Sequence, residues 1–492
     1  MYPFFTYSPN RHYFEYKWYN LELLRLLGAA PYGGCDAAEF LELVASLVPN
    51  DADDWNRKFL ALAERTESWA EEMQKSGHLS AARGAFLRAS NYFRCAQYLF
   101  PIMPAKEQAY FLSLYHRSVS CFERAAKLME HDVRRVRIPF QPPEYRAPLL
   151  QLPGWLHLPA PSRRLEGRKT PVLICIGGAD STQEELYFLH VAEGPGLGYA
   201  VLTFDGPGQG LVLREDGVPL RPDGEIVLDA VLDFLASYAA EHPEAGLDLD
   251  AVAVTGQSLG GYLSLRGAAD ARVKACVAVD PVYDFYDLAM SRMPRWFMWP
   301  WERNYMGDGF VDFAVREHAK LDVATRYTFA QACHMFGSSN PAQMIRDMKQ
   351  YTFRLDKTIA ASPKNRPRAN RDYLEWVRCP VLVTGAAGDP KLFLAEMSTS
   401  AIMRNLVNVP EGDKELWVPG AWSEGGAQAK SGAWPLLQYR TYKFLDEKLG
   451  IRRPSSPRPK GVYENGHSEN GYHTNGFVER EHESVVVTNG YH

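Results

Sequence analysis

The stretch Ala251-Val252-Ala253-Val254-Thr255-Gly256-Gln257-Ser258-Leu259-Gly260-Gly261-Tyr262 constrains this chain more than any other. An apolar, partly β-branched run ends in Gly-x-Ser-x-Gly and passes into a small-residue helical pattern over 263–269, the strand–turn–helix of a nucleophile elbow. So tight a turn forces Ser258 into a strained backbone, and a side chain at Gly256 or Gly260 would collide with the neighbouring chain. Oγ is then exposed at a helix N-terminus, where the dipole and the free N–H of Leu259 favour an oxyanion.

An elbow of this kind needs a parallel sheet beneath it. Short apolar runs at 172–176, 200–204, 252–255, 275–279 and 381–384 end in Gly or Asp, separated by helical lengths of chain; they predict a parallel sheet covered on both faces. Alternation over 133–140 and 154–158 predicts an antiparallel pair at its start. Ahead of the pair, 51–130 has a helical period, with Asp51 or Asp53 as N-cap and a turn at Ser76-Gly77-His78. No second copy recurs at fixed spacing, so residues 1–130 read as an N-terminal helical cap rather than a solenoid, and 131–450 as the α/β domain. Between 281 and about 371 the strand–helix alternation stops, and Met293, Trp296, Phe297, Met298, Trp299 and Trp301 gather. A helical lid insertion over an apolar pocket is expected there. Residues 451–492 turn Pro-rich and then Asn-Gly-rich, as a disordered tail with nothing to bury would.

Composition removes several classes of function. A net charge of −5 without a basic stripe gives no case for a nucleic-acid partner. Seven scattered cysteines, without a C-x-x-C pair, read as reduced thiols rather than a metal site. No run of about 18 apolar residues occurs and the start lacks a signal-like pattern, so a cytoplasmic protein with no membrane partner is expected. No cofactor is expected, and a homodimer is left open.

Serine chemistry needs a second oxyanion donor, and the glycine-rich loop Ile176-Gly177-Gly178-Ala179-Asp180-Ser181 places Gly178 and Ala179 as candidates beside Leu259. The loop from Asp205 to Gly210 has a positioning role at most. The orienting acid follows a later strand, and Asp389 fits; Asp280, Asp284 and Asp287 follow the preceding strand and are alternatives. The histidine that should stand after the last strand, 415–418, is missing. Residues 419–430 hold none, and every histidine beyond Asp389 lies in the tail, at His467, His473, His482 and His492.

The segments Gly177–Glu185, Phe204–Gly210 and Gly256–Gly261, behind a helical N-terminal region, resemble one branch of the α/β-hydrolase superfamily that includes the dihydropseudooxynicotine C–C hydrolase. More closely, the chain to about residue 450 resembles the fusarin-type hydrolases of fungal polyketide–peptide (PKS-NRPS) gene clusters. The resemblance implies an α/β-hydrolase fold, a mostly parallel sheet with helices on both faces, and an apolar polyketide-derived substrate. In the C–C hydrolase branch the last loop reads roughly Gly-Glu-His, and Ser423-Glu424-Gly425 stands in its place, with Gly425 at the histidine position. Ser258 and Asp389 are therefore expected without their imidazole. Glu424 is the candidate base, and His334 in the lid a second. The implied role is ring closure by Knoevenagel-type carbon–carbon bond formation, giving a pyrrolidone or pyrrolone. A serine hydrolase of an ester, thioester or C–C bond, and a catalytically dead carrier of the intermediate, are the alternatives.

Overall fold

The computed structural model describes residues 17–144, 148–355, 372–388 and 395–453. Five helices come first: α1 (Lys17–Gly28), α2 (Ala37–Ser46), α3 (Ala52–Lys75), α4 (Leu79–Gln97) and α5 (Gln108–Ala126). Their ends follow local chemistry. Asp51, one of the two expected caps, accepts the Asp54 N–H at 2.9 Å and starts α3. Gly77 adopts φ +81° in the expected turn to α4. The helices share a core around Trp55, Phe59, Tyr92 and Phe93, all at most 1% exposed.

Eight strands follow as one sheet, ordered β1-β2-β4-β3-β5-β6-β7-β8. They are β1 (Asp132–Phe140), β2 (Leu150–Leu158), β3 (Thr170–Ile176), β4 (Ala200–Phe204), β5 (Leu247–Gln257), β6 (Val273–Val279), β7 (Val381–Thr384) and β8 (Lys414–Trp417). As expected, β1 and β2 are antiparallel; from β4 through β8 all pairings are parallel. Every residue of β3 and β4 is buried, the pattern of strands covered on both faces. The period of two divides the core. Ile174, Leu202 and Val254 face α7 (Glu225–Glu241) and α8 (Leu259–Gly267), whereas Leu173, Val201 and Ala253 share a cluster with Tyr115 and Phe122 of α5. Loss of a phenylalanine such as Phe122 from this layer would cost about 3–5 kcal/mol.

Three further helix groups complete the fold. The short α6 (Gly210–Arg214) follows β4. Between β6 and β7 the chain inserts α9 (Phe285–Arg292), α10 (Arg295–Glu302), α11 (Asp308–Leu321), α12 (Val323–Phe336) and α13 (Pro341–Asp347). After β7 come α14 (Ala395–Asn405) and, beyond β8, α15 (Trp434–Lys448). The insertion is helical as expected, but its aromatic cluster does not line one pocket. Met298 and Trp301 are buried, while Trp296 and Trp299 face outward. The described residues up to Ile451 form one compact unit; the tail expected to be disordered lies outside the described residues from 454 onward. Among the described residues no helix is long and apolar enough to cross a membrane, and no group of His, Cys, Asp or Glu could hold a metal ion.

Candidate active site

At the end of β5, Ser258 has φ 54° and ψ −111°. Its N–H donates to Val279 O at 2.8 Å, which ties the strained residue to the end of β6. Both flanking glycines are obligatory. A Cβ on Gly260 would lie 2.1 Å from Ile176 O, and one on Gly256 would lie 2.5 Å from the Gly260 carbonyl. Ser258 itself stays partly exposed amid buried neighbours. Leu259 opens α8, and the amides of a first helical turn have no acceptor within the helix.

The loop after β3 is held from both sides. Gln209 Nε2 donates to Gly177 O at 2.5 Å and to Gly178 O at 3.2 Å; Gln331 Nε2, from α12, donates to Ala179 O at 2.9 Å. In a trans peptide the N–H points opposite the carbonyl, so the N–H groups of Gly178 and Ala179 face away from Gln209. Behind the loop lies a buried polar chain. Arg25 of α1 donates through Nε to Glu185 at 2.5 Å, through a terminal nitrogen to Asp180 at 3.1 Å, and through the other to Ser181 Oγ at 3.4 Å. Gln257, the residue before the nucleophile, donates to Ser181 Oγ at 3.1 Å, and its Oε1 lies 3.0 Å from His190 Nε2. Burial works against the Asp180 charge, yet Arg25, Tyr98 and Arg94 hold its carboxyl below the usual range. Burial pushes His190 down to about 4, against the Gln257 hydrogen bond, so its imidazole is neutral.

Asp205 ties three segments together. Its carboxylate accepts the N–H groups of Gln183 and Leu211 and the hydroxyl of Tyr115, at 3.0–3.1 Å. Burial raises it to about 6, and raises neighbouring Glu184 to about 8 with help from the Asp205 charge.

The other half of the site differs from the reading of the sequence. Asp389 lies outside the described residues; the N–H of Gly388 before it donates to Gly426 O at 2.9 Å, so the β7 loop and the last loop run backbone to backbone. Gly425 has φ +90°, and a Cβ there would point at Lys430 Cδ (3.0 Å) and the Trp417 ring (3.1 Å). Glu424 is exposed on the loop. What fills this region is Lys430, which is fully buried: Nζ donates to Asp280 Oδ1 at 2.8 Å and to Gly385 O at 2.7 Å, and lies 5.0 Å above the Trp417 ring. Asp280 also accepts the Thr384 hydroxyl at 2.7 Å and the Ala429 N–H at 2.8 Å. Burial pulls the Lys430 ammonium below its usual pKa, and Asp280 opposes that pull. Ser258, Asp280, Ala429 and Lys430 are four of the six non-glycine residues with positive φ among the described residues. Backbone strain of about 1–3 kcal/mol each thus gathers at one end of the sheet.

The remaining candidates have other partners. Asp284 caps α9 and accepts from Thr352 and Arg354, and Asp287 pairs with Arg354. His334 stacks on Phe100 at 5.9 Å, one turn of α12 after Gln331 and thus on the same face. Lys430, Gln331, Gln209, Arg25 and His190 escaped the reading of the sequence. Only the glycine-flanked Gln209 lay inside a motif singled out there.

Residues 173–423 match the Alpha/beta hydrolase family. Fungal proteins are similar over nearly their whole length. "Alpha/beta hydrolase ucsC" from Acremonium sp. is 79% identical over 93% of this chain and 92% of its own. "Hydrolase ORFZ" from Pyricularia oryzae is 42% identical over 90% and 99%, and "Hydrolyase ccsE" from Aspergillus clavatus 41% over 89% and 98%. Among solved structures, 2,6-dihydroxy-pseudo-oxynicotine hydrolase superposes with a TM-score of 0.60 over 87% of this chain and 98% of that one; at 18% identity this likeness is one of fold.

Proposed function

Because the chain belongs to the alpha/beta hydrolase family and is an enzyme of that fold, we propose that it is a tailoring enzyme of fungal secondary metabolism that closes a pyrrolidone or pyrrolone ring on a polyketide–amino acid intermediate. The observation that carries this reading is the last loop, where Gly425 packs on Lys430 and Trp417 and the lysine is tied to Asp280. Where an imidazole is expected, this part of the chain carries a buried lysine paired with Asp280, and the strained turn at Ser258 supports the reading of an elbow beside it.

In ring closure, a base removes a proton from the carbon between two carbonyls of the substrate. The resulting enolate oxygen takes hydrogen bonds from the N–H groups of Gly178, Ala179 and Leu259. The enolate carbon then attacks the aldehyde or ketone carbonyl, the new alkoxide takes up the proton, and loss of water completes the double bond. No acyl-enzyme forms. Glu424 and His334 are the candidate bases, and the single variants Glu424→Gln and His334→Gln separate them. Asp389 keeps in this reading the role of orienting acid that its sequence position after β7 suggests.

Ser258→Ala tests the proposal against hydrolysis. Under ring closure the donors and pocket remain, so turnover of an acyclic aminoacyl-polyketide ketone should stay within about tenfold of wild type, or 1.4 kcal/mol of barrier. Loss of several orders of magnitude, with burst acylation of Ser258 by a generic ester in the wild type, would establish a serine hydrolase. The strained, partly exposed Ser258 is the observation that favours this second reading.

A further inference from the structure

The insertion between β6 and β7 contains a helix that is apolar on both sides. On its inner face, Met298 and Trp301 of α10 are each 1% exposed and fill the core. On its outer face, Trp296 and Trp299 are 79% and 52% exposed. A helix apolar all round is one whose outer face expects cover. The patch continues through ring contacts: Trp296 to Phe297 at 5.9 Å, Phe297 to Phe310 of α11 at 6.0 Å, and Trp299 to Tyr305 at 5.9 Å. Phe310 and Phe313, one turn apart, are both more than half exposed, while Val311 between them is buried. Scattered apolar residues on a surface are ordinary; a contiguous aromatic patch marks a contact.

Charge identifies what the patch contacts. Residues 292–321 carry Arg292, Arg295, Arg303, Arg316 and Lys320 against Glu302, Asp308, Asp312 and Glu317; the acids of α11 are engaged, Asp308 by Arg346, Glu317 by Lys320 and Asp312 by the Ala342 N–H, so the basic excess lies on α10. Glu302 is occupied by the Tyr286 hydroxyl at 2.9 Å, and the Arg303 guanidinium lies 5.5 Å from the Trp299 ring centroid. Tryptophan and tyrosine with an apolar body and a polar edge, interleaved with arginine on short surface helices, suit the boundary between lipid headgroups and acyl chains. A second copy of this chain is the alternative that the test below distinguishes. We propose that the α10–α11 face docks on an anionic lipid surface, with the helices in the plane of the interface and no segment crossing the bilayer.

Co-sedimentation of the full-length protein with phosphatidylcholine vesicles, with and without phosphatidylserine, tests this. Binding should require phosphatidylserine, weaken as salt rises, and shift tryptophan emission to the blue. Trp296→Ser combined with Trp299→Ser should abolish binding. Arg295→Gln and Arg303→Gln, exposed changes that leave the fold intact, should each lower vesicle affinity about fivefold. Wild-type protein that ignores phosphatidylserine vesicles overturns the proposal, as does binding indifferent to the arginine variants. A concentration-dependent dimer that the tryptophan variants dissolve also overturns it, and assigns the face to a second copy.

Discussion

The two halves of the candidate site are built on opposite plans. On the β3–β5 side the strained Ser258 stays partly exposed, and the carbonyls of the loop after β3 are held by Gln209 and Gln331. On the β6–β8 side the polar groups satisfy one another: Asp280 accepts from Lys430, Thr384 and the Ala429 N–H, and the Gly388 N–H donates to Gly426 O. One half presents donors outward and the other closes inward. The elbow and the loop after β3 keep the form the sequence leads one to expect, whereas the last loop is organised around the Lys430–Asp280 pair.

The largest effect should come from the accessible half. Gly260→Ala drives a methyl group to within 2.1 Å of Ile176 O, a backbone atom that cannot yield, so the elbow must open. Stability should fall by about 3 kcal/mol or more and activity should vanish with it. A thermal melt near that of wild type would show that the turn is looser than described.

Next is the lock. Lys430→Met leaves the Asp280 carboxylate buried without its cation, which should cost about 3–5 kcal/mol. Adding Asp280→Asn should restore much of that loss, since removing both charges is far milder than removing one. A double-mutant cycle in denaturant checks it, and additive losses would mean that the pair does not hold the half together.

A smaller effect is pH-dependent. The folded-state pKa of Glu184 is raised to about 8 by burial and then by Asp205, so the folded protein holds a proton that the unfolded chain releases near 4.5. Its contribution is complete below the unfolded value and is lost as pH rises towards 8, at no more than about 1.4 kcal/mol per pH unit. Glu184→Gln should flatten the fall in unfolding free energy across that window; an unchanged slope would place the proton elsewhere.

Smallest of all should be Gly425→His. The alignment of the last loop alone would make this variant an esterase. With φ +90° and Lys430 and Trp417 within 3.2 Å of its Cβ, the imidazole has no clear path toward Ser258, so no esterase should appear. A gain of activity with generic esters would erase the contrast between the halves.

What could be read in the sequence was local. Gly256-x-Ser258-x-Gly260, the cap at Asp51 and the turn at Gly77 depend on a few neighbouring residues, and they stand where expected. The lock could not be read, because Lys430 and Asp280 lie 150 positions apart and a loop lysine looks solvated until its partners surround it. The same limit applies to α10. Composition identified an aromatic cluster, but when both faces of a helix are apolar, periodicity cannot say which one turns inward.

The guanidinium of Arg25 also has a history in time. It precedes its partner Glu185 by 160 positions, so a chain synthesised from its N-terminus carries this arginine long before any carboxylate of the sheet domain exists to receive it. The apolar face of α1 can pack on its neighbouring helices first, but the Arg25 bonds can form only after β3 and its loop exist, and Ser181 then accepts from both Arg25 and Gln257 beside Ser258. Formation of the Arg25 bonds and ordering of the loop after β3 are therefore coupled, and a nascent or partly unfolded chain lacks both.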